Sequence, residues 1–318
     1  MRTKHRPLAR FITAAAALLA LAGCAAGPVQ PYAAAEHQGL REFHIDAAAE
    51  YLETDELLAG IGQLESYTAV GYKHGLASNG AQLNNQHTTK FVNGSYLSLE
   101  QGIHEGETID VYHVAGSDRE YYLFGRMYQE KMDIAPWGHT AAPRMEPDVH
   151  PSDACALSAV AYACQLLRAW HYTQEHFDES DDGHQDVPLH LMRYANGSVL
   201  LTTAVTVGSM VEANLWVFGG DLEQLVTDET LDTLVPMRIW INSDGVVLKM
   251  EANGTVVAPD TDLEMELQVG FEITGTAAQE EISVPIENLE EDNLFEMPEG
   301  SEAEDFWRTI ELIRIGEL

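Results

Sequence analysis

The chain has 318 residues, with 17 Lys plus Arg against 51 Asp plus Glu and a formal net charge of −34 at pH 7. A field of that sign repels phosphate backbones, which excludes nucleic acid as an expected partner and keeps the protein soluble. The length allows one large domain or two ordinary ones.

The chain opens with a basic flank (Arg2, Lys4, Arg6, Arg10), an apolar run from Phe11 to Ala22 and the tetrapeptide "LAGC" ending at Cys24. The run is too short to span a bilayer, which takes about 20 apolar residues, but it suits a signal peptide. "LAGC" resembles a bacterial lipobox. Met1–Gly23 is expected to be removed and Cys24 to carry the lipid, fixing the protein at the extracytoplasmic face of the cell membrane. Residues 24–42, rich in Ala, Pro and Gly and without periodicity, read as the tether. Residues 43–318 read as the folded domain.

A helix is expected around Ile45–Leu58. Strands follow, punctuated by Asn-Gly at 79–80, 93–94, 196–197 and 253–254 and by "NSDG" at 242–245. Such pairs favour tight hairpins because both residues tolerate positive φ. The pattern predicts a meander from about 65 to 127 and a second set of strands from about 189 to 274. In "LEMELQVGFEI" (263–273) Leu263, Met265, Leu267, Val269, Phe271 and Ile273 alternate with Glu264, Glu266, Gln268 and Glu272, the mark of a strand with one apolar face.

Between the two sets, Gln129–Pro151 reads as a proline-rich loop, with Trp137 packed beneath it or lining a mouth. Ser152 to about Glu175 reads as a helix with Leu157, Val160, Ala161, Cys164 and Leu167 on one stripe. On a continuous helix Cys155 and Cys164 would lie about 13 Å apart, too far for a disulfide, so both are expected as buried free thiols. Residues 209–234 read as short helices. Residues 279–305, dense in acids and without Lys or Arg, read as a solvated stretch, and Phe306–Ile315 as a segment docking back.

Signatures of chemistry are missing. G-x-S-x-G, a P-loop, HExxH and CxxC do not occur, and no catalytic pair stands out among so many acids. "HYTQEHFDESDDGH" (171–184) places Asp178, Ser180, Asp182 and Gly183 on a calcium-loop template, but Leu189 falls where a bidentate Glu is required. His171 and His176 are poorly spaced for joint ligation. No enzyme activity, metal or cofactor is expected.

The lipobox, "NGSYLSL" in the first meander, a central helix, "VPMRIWINSDGVVLKMEANG" and "ELQVGFEI…VPIENLEE" together resemble the LppX/LprAFG family of actinobacterial lipoproteins. The extreme acidity, the loop at 129–151 and the acidic stretch after Thr274 depart from that pattern. The resemblance implies an α+β fold: a single antiparallel, strongly curved sheet, the LolA-like half-barrel, with helices on its concave face. It also implies a non-enzymatic carrier of lipid or glycolipid acyl chains, monomeric and membrane-held through its anchor. The expected cavity wall is Ile239, Ile241, Leu248, Met265, Leu267, Val269 and Phe271. The alternative is a regulatory or envelope-stress sensor of the same fold that binds a partner protein.

Overall fold

The computed structural model describes residues 42–45, 54–102, 106–140, 155, 157–179, 187, 189–216, 225–258, 261, 263–283, 293–314 and 318. The signal segment, Cys24 and residues 25–41 of the tether, Ser152 and residues 180–186 of the candidate calcium loop lie outside them, while Glu42, predicted as the tether's last residue, opens a strand.

Among the described residues thirteen strands form one sheet, large, curved and unclosed. In chain order they are β1 (Glu42–Ile45), β2 (Ser66–Ala77), β3 (Gln82–Val92), β4 (Ser95–Gln101), β5 (Ile109–His113), β6 (Glu120–Phe124) and β7 (Trp137–Thr140). After the central helix come β8 (His190–Tyr194), β9 (Val199–Thr206), β10 (Leu234–Ile241), β11 (Val247–Ala258), β12 (Leu263–Gly275) and β13 (Leu294–Glu296). Their spatial order is β1-β8-β9-β10-β11-β12-β2-β3-β4-β5-β6-β7-β13. The β7–β13 pair is parallel while the other ladders run antiparallel, so the sheet is mixed, where the sequence predicted a purely antiparallel one.

The two predicted strand sets are therefore neighbours in one sheet, joined where β12 pairs with β2. Asn93 (φ 46°) and Gly94 (φ 85°) make the β3–β4 turn as the Asn-Gly rule requires. Asn253–Gly254 does not turn. Both lie within β11, opposite Gln268 and Leu267 of β12, and the chain reverses only after Ala258.

Six α-helices among the described residues accompany the sheet: α1 (Thr54–Gly62), α2 (Arg126–Met132), α3 (Ser158–Glu179), α4 (Val207–Glu212), α5 (Asp228–Leu231) and α6 (Ser301–Arg314). Of the helix predicted over 45–58, Ile45 belongs to β1, which pairs with β8, Thr54–Leu58 is helical, and residues 46–53 lie outside the described residues. Of the proline-rich segment predicted as a loop over 129–151, residues 141–151 lie outside the described residues; before them Arg126–Met132 is helical, and Trp137 begins β7, 8% exposed and packed against Tyr112.

Helix α3 lies across the face formed by β2, β3, β9, β11 and β12. Leu157, Val160, Leu166, Leu167 and Trp170 are all buried, and the Trp170 indole donates to Thr203 Oγ1 at 3.1 Å. Where α3 crosses β2 there is no room for a side chain. A Cβ on Gly71 would sit 2.4 Å from Tyr162 Cδ2 and 2.8 Å from the Ala159 carbonyl oxygen.

After β12 the chain crosses to the outer face, where Ile282 joins Val92 and Leu97 in a small apolar cluster and Glu281 pairs with Lys90. It then adds β13 beside β7 and returns to the helix face as α6. There Phe306 and Trp307 meet Tyr122, Phe124 and Phe295, with ring centroids 5.7–6.2 Å apart. Ile310 and Ile313 are buried beneath α6. Residues 306–314 dock as expected, Ile315 lying outside the described residues, whereas the described parts of the acidic stretch before them supply a strand and the buried Ile282 and Met297.

Candidate functional site

The alternation of β12 sets up the helix face. Leu263, Met265, Leu267, Val269, Phe271 and Ile273 are 0–7% exposed, while Glu264, Glu266 and Thr274 are exposed on the other side. Residues directly opposite in a ladder share a face, so Ile239 and Ile241 of β10 and Met250 and Ala252 of β11 extend this apolar surface. A register shift between Trp240 and Ile241 leaves Leu248 without a ladder partner, and it is buried beside them. All seven residues predicted as cavity wall are thus inside the molecule, in one core with α3.

Among the described residues, two hollows open at opposite ends of strands β9–β12. One, of about 440 Å³, lies between the second half of α3, α4 and α5, bordered by Tyr172, His176, Val211, Val226, Leu231 and Asp232. His176 Nε2 stands 3.7 Å from Asp232 Oδ1 across its rim. The other, of about 400 Å³, is bordered by Leu64, Tyr67, Val246, Leu248 and Ile273, so Leu248 alone of the predicted wall faces it. Leu267 borders a shallower third hollow of about 270 Å³, shared with His74, Asn253 and Gln268.

The apolar face ends in a polar seam between α3 and α6, over β2, β3 and β4. Glu100 lies at its centre: Arg314 Nη2 donates to Oε2 at 2.8 Å, the Ile109 amide at 2.9 Å, and Asn85 Nδ2 to Oε1 at 3.1 Å. Tyr162 of α3 donates to Asn85 Oδ1 at 3.0 Å, and Arg314 Nε donates to the Tyr128 hydroxyl at 2.8 Å. Burial lowers the His87 pKa to about 4; Glu100 opposes the fall, while Arg314 and Lys73 add to it. His87 is therefore neutral at pH 7 although its Nε2 is 3.6 Å from Glu100. Lys73 Nζ stands over the Tyr162 ring, 5.3 Å from its centroid.

The outer face carries a second network. Lys249 Nζ is 2.9 Å from Glu251 and 3.8 Å from Glu272, and Tyr72 and Gln268 also donate to Glu251 at 2.7 and 3.0 Å. Burial pushes the Glu251 carboxyl up, but these hydrogen bonds outweigh it and hold it below the ordinary carboxylate range.

The sequence pattern alone did not point to the seam, though a signal for it exists. In "YTAVGYKHGLA" the alternation that puts Tyr67, Ala69, Gly71, Gly75 and Ala77 on the helix face puts Lys73 there too. Glu100 and Arg314 carry no such signal, because their meeting depends on how α6 returns.

The cysteine expectation is overturned. Cys155 and Cys164 form a disulfide with Cα atoms 5.9 Å apart. The helix begins at Ser158, after Cys155, so the chain is free to bend back to the second turn of α3. The 13 Å separation applied to a continuous helix that does not exist.

No family model and no curated protein matches this chain. Among solved structures it is similar to a DUF1329 family protein from Desulfovibrio piger ATCC 29098, at 7% identity and a TM-score of 0.23, over 73% of this chain and 97% of that one. It is also similar to a LolA superfamily protein from Nitrosomonas europaea, at 7% identity and a TM-score of 0.24, over 74% of this chain and 97% of that one. Likenesses this faint carry no argument about function.

Proposed function

We propose that this chain is a cell-envelope lipoprotein that binds or carries lipid or glycolipid acyl chains without catalysis, as its resemblance to the LppX/LprAFG lipoproteins implies. In this reading the helix face is the concave side of a half-barrel, and Ile239, Ile241, Leu248, Met265, Leu267, Val269 and Phe271 form its ligand wall. The observation that carries it is an apolar face, covered by one long helix, with hollows of about 440 and 400 Å³ at its two ends. Both volumes fall in the range of small-ligand sites.

The energetic demand is large. A sixteen-carbon chain leaving a bilayer forfeits on the order of 10 kcal/mol of apolar burial, so a carrier must offer a comparable wall. The face beneath α3 has the composition for this, with α4 and α5 at its mouth as the elements to move.

The disulfide supports an extracytoplasmic location, because such bonds persist in oxidising compartments and are rare in the cytosol. A partner-binding sensor would be expected to show an exposed apolar patch. Among the described residues the large apolar side chains left exposed are Leu76, Val226, Val257 and Leu318, which favours the carrier reading.

The test is extraction of the purified protein followed by mass spectrometry of any lipid it retains. Stoichiometric lipid supports carriage, and lipid-free protein from lipid-replete cells refutes it. Anchoring is tested separately: Cys24→Ser is expected to release the protein from membranes or leave it unprocessed. Normal processing with unchanged membrane retention would remove the lipobox reading.

A further inference from the structure

Lys73 is the group in the seam that its surroundings do not account for. It lies on the helix face of β2, between Gly71, on which α3 rests, and Gly75, whose Cβ would touch Trp216. The neighbouring polar groups Asn85, Glu100, Tyr128, Tyr162 and Arg314 all have hydrogen-bond partners. Among the described residues Lys73 has only the Tyr162 ring, with no acceptor in hydrogen-bond reach and no carboxylate within ion-pair distance. Arg314 contributes a second cation, and it is Arg314 that takes the Glu100 carboxylate. The ammonium is half-buried, and the one described carboxylate acting on it, Glu311 of α6, does so from beyond ion-pair distance. It therefore has no direct anionic contact, a costly state for a largely desolvated cation.

We infer that the seam between α3 and α6 is a binding site for a phosphate- or carboxylate-bearing ligand, whose anionic group is held by Lys73. Burial lowers the Lys73 pKa to about 8, with Glu311 opposing the fall and Arg314 adding to it, so the ammonium is still charged at pH 7. His87 stays neutral beside it and is available as a hydrogen-bond donor. Tyr162 positions the ammonium rather than neutralising it, because a cation over a ring keeps its N–H groups free for another acceptor.

The chain's overall charge of −34 opposes an anion at long range. That field is screened over about 8 Å at physiological salt, whereas a direct contact inside the seam is not. At the site Arg314 and Glu100 already pair, and Glu311 acts on Lys73 only from a distance. A direct contact with the Lys73 ammonium therefore decides binding there, and the global charge slows approach to it. The seam borders the apolar face, so an anionic lipid could place its chains under α3 and its headgroup at Lys73. That arm of the inference rests on the carrier reading; the anion site itself does not.

The experiment titrates the full chain, stripped of lipid, with three probes: a fluorescent diacyl phosphatidic acid, the diacylglycerol of the same chains, and inorganic phosphate. Wild type is expected to prefer phosphatidic acid by on the order of tenfold or more, the gain of a charge-assisted hydrogen bond. Lys73→Met should erase the preference without changing diacylglycerol affinity, and Lys73→Arg should keep most of it. Lys73→Met removes a desolvated charge and should melt no lower than wild type, so loss of binding cannot be put down to unfolding. Equal affinity for both lipids, unaltered in Lys73→Met, overturns the anion site and leaves the carrier reading standing. Phosphate binding that depends on Lys73 while neither lipid binds upholds the site and sinks the carrier. Binding of none of the three overturns both.

Discussion

At the scale of single residues, two positions on the helix face make separate demands. His87 is buried neutral, its side chain 16% exposed, and its pKa of about 4 lies below the roughly 6.5 of an unfolded histidine. Between those values the unfolded chain binds the proton and the folded one does not, so stability rises with pH across that window. Acidifying from pH 6.5 to 4 should cost on the order of 3 kcal/mol through this residue. In urea titrations His87→Gln should show a shallower loss than wild type over that interval; parallel curves would mean that His87 does not titrate as argued. Gly71 is a packing demand. Gly71→Ala must displace Tyr162 or the α3 backbone, since contacts of 2.4 and 2.8 Å are not tolerated. Overpacking of this kind costs about 1–3 kcal/mol. Thermal denaturation should show it, and an unchanged melting point would place α3 further from the sheet.

Among elements, strands were legible and edges were not. The run 263–273 could be assigned residue by residue because period-2 alternation reports directly on which face is buried. Asn253–Gly254 misled for a physical reason: the pair permits a hairpin without compelling one, and ten ladder partners between β11 and β12 outweigh local turn preference. Glu42–Ile45 and Leu294–Glu296 are strands because β8 and β7 lie beside them, which no local pattern announces. The cysteine pair turned on a helix boundary, and boundaries are the least legible feature of a sequence. Its consequence is measurable. The Cys155–Cys164 bridge closes a loop of about ten residues and should stabilise the fold by about 3 kcal/mol if chain entropy dominates. Cys155→Ser with Cys164→Ser should lower the urea midpoint accordingly, and reducing agent should move wild type but not the variant. Insensitivity of wild type to reductant would show the bridge to be unformed or immaterial.

For the whole molecule, the apolar half of the candidate site could be read from sequence, whereas the seam that bounds it could not. Lys73 was visible in its alternation, but its isolation among satisfied neighbours exists only once α3 and α6 occupy the same face. The apolar half also holds the test of the proposed function. Leu267 is 2% exposed on β12, opposite Gly75 of β2 and Gly254 of β11, where neighbouring strands contribute no side chain. A Trp at this position competes with whatever enters beneath α3. If the face opens to admit acyl chains, the motion that accommodates a lipid also accommodates the indole. Leu267→Trp should then lose most bound lipid while its urea midpoint shifts by less than about 1 kcal/mol equivalent. If the face is fixed core, the same change overpacks it, at about 1–3 kcal/mol or more. Lipid mass spectrometry and urea denaturation on the same preparations separate the two cases. A strongly destabilised Leu267→Trp beside a lipid-free wild type would make the face plain core and remove the carrier.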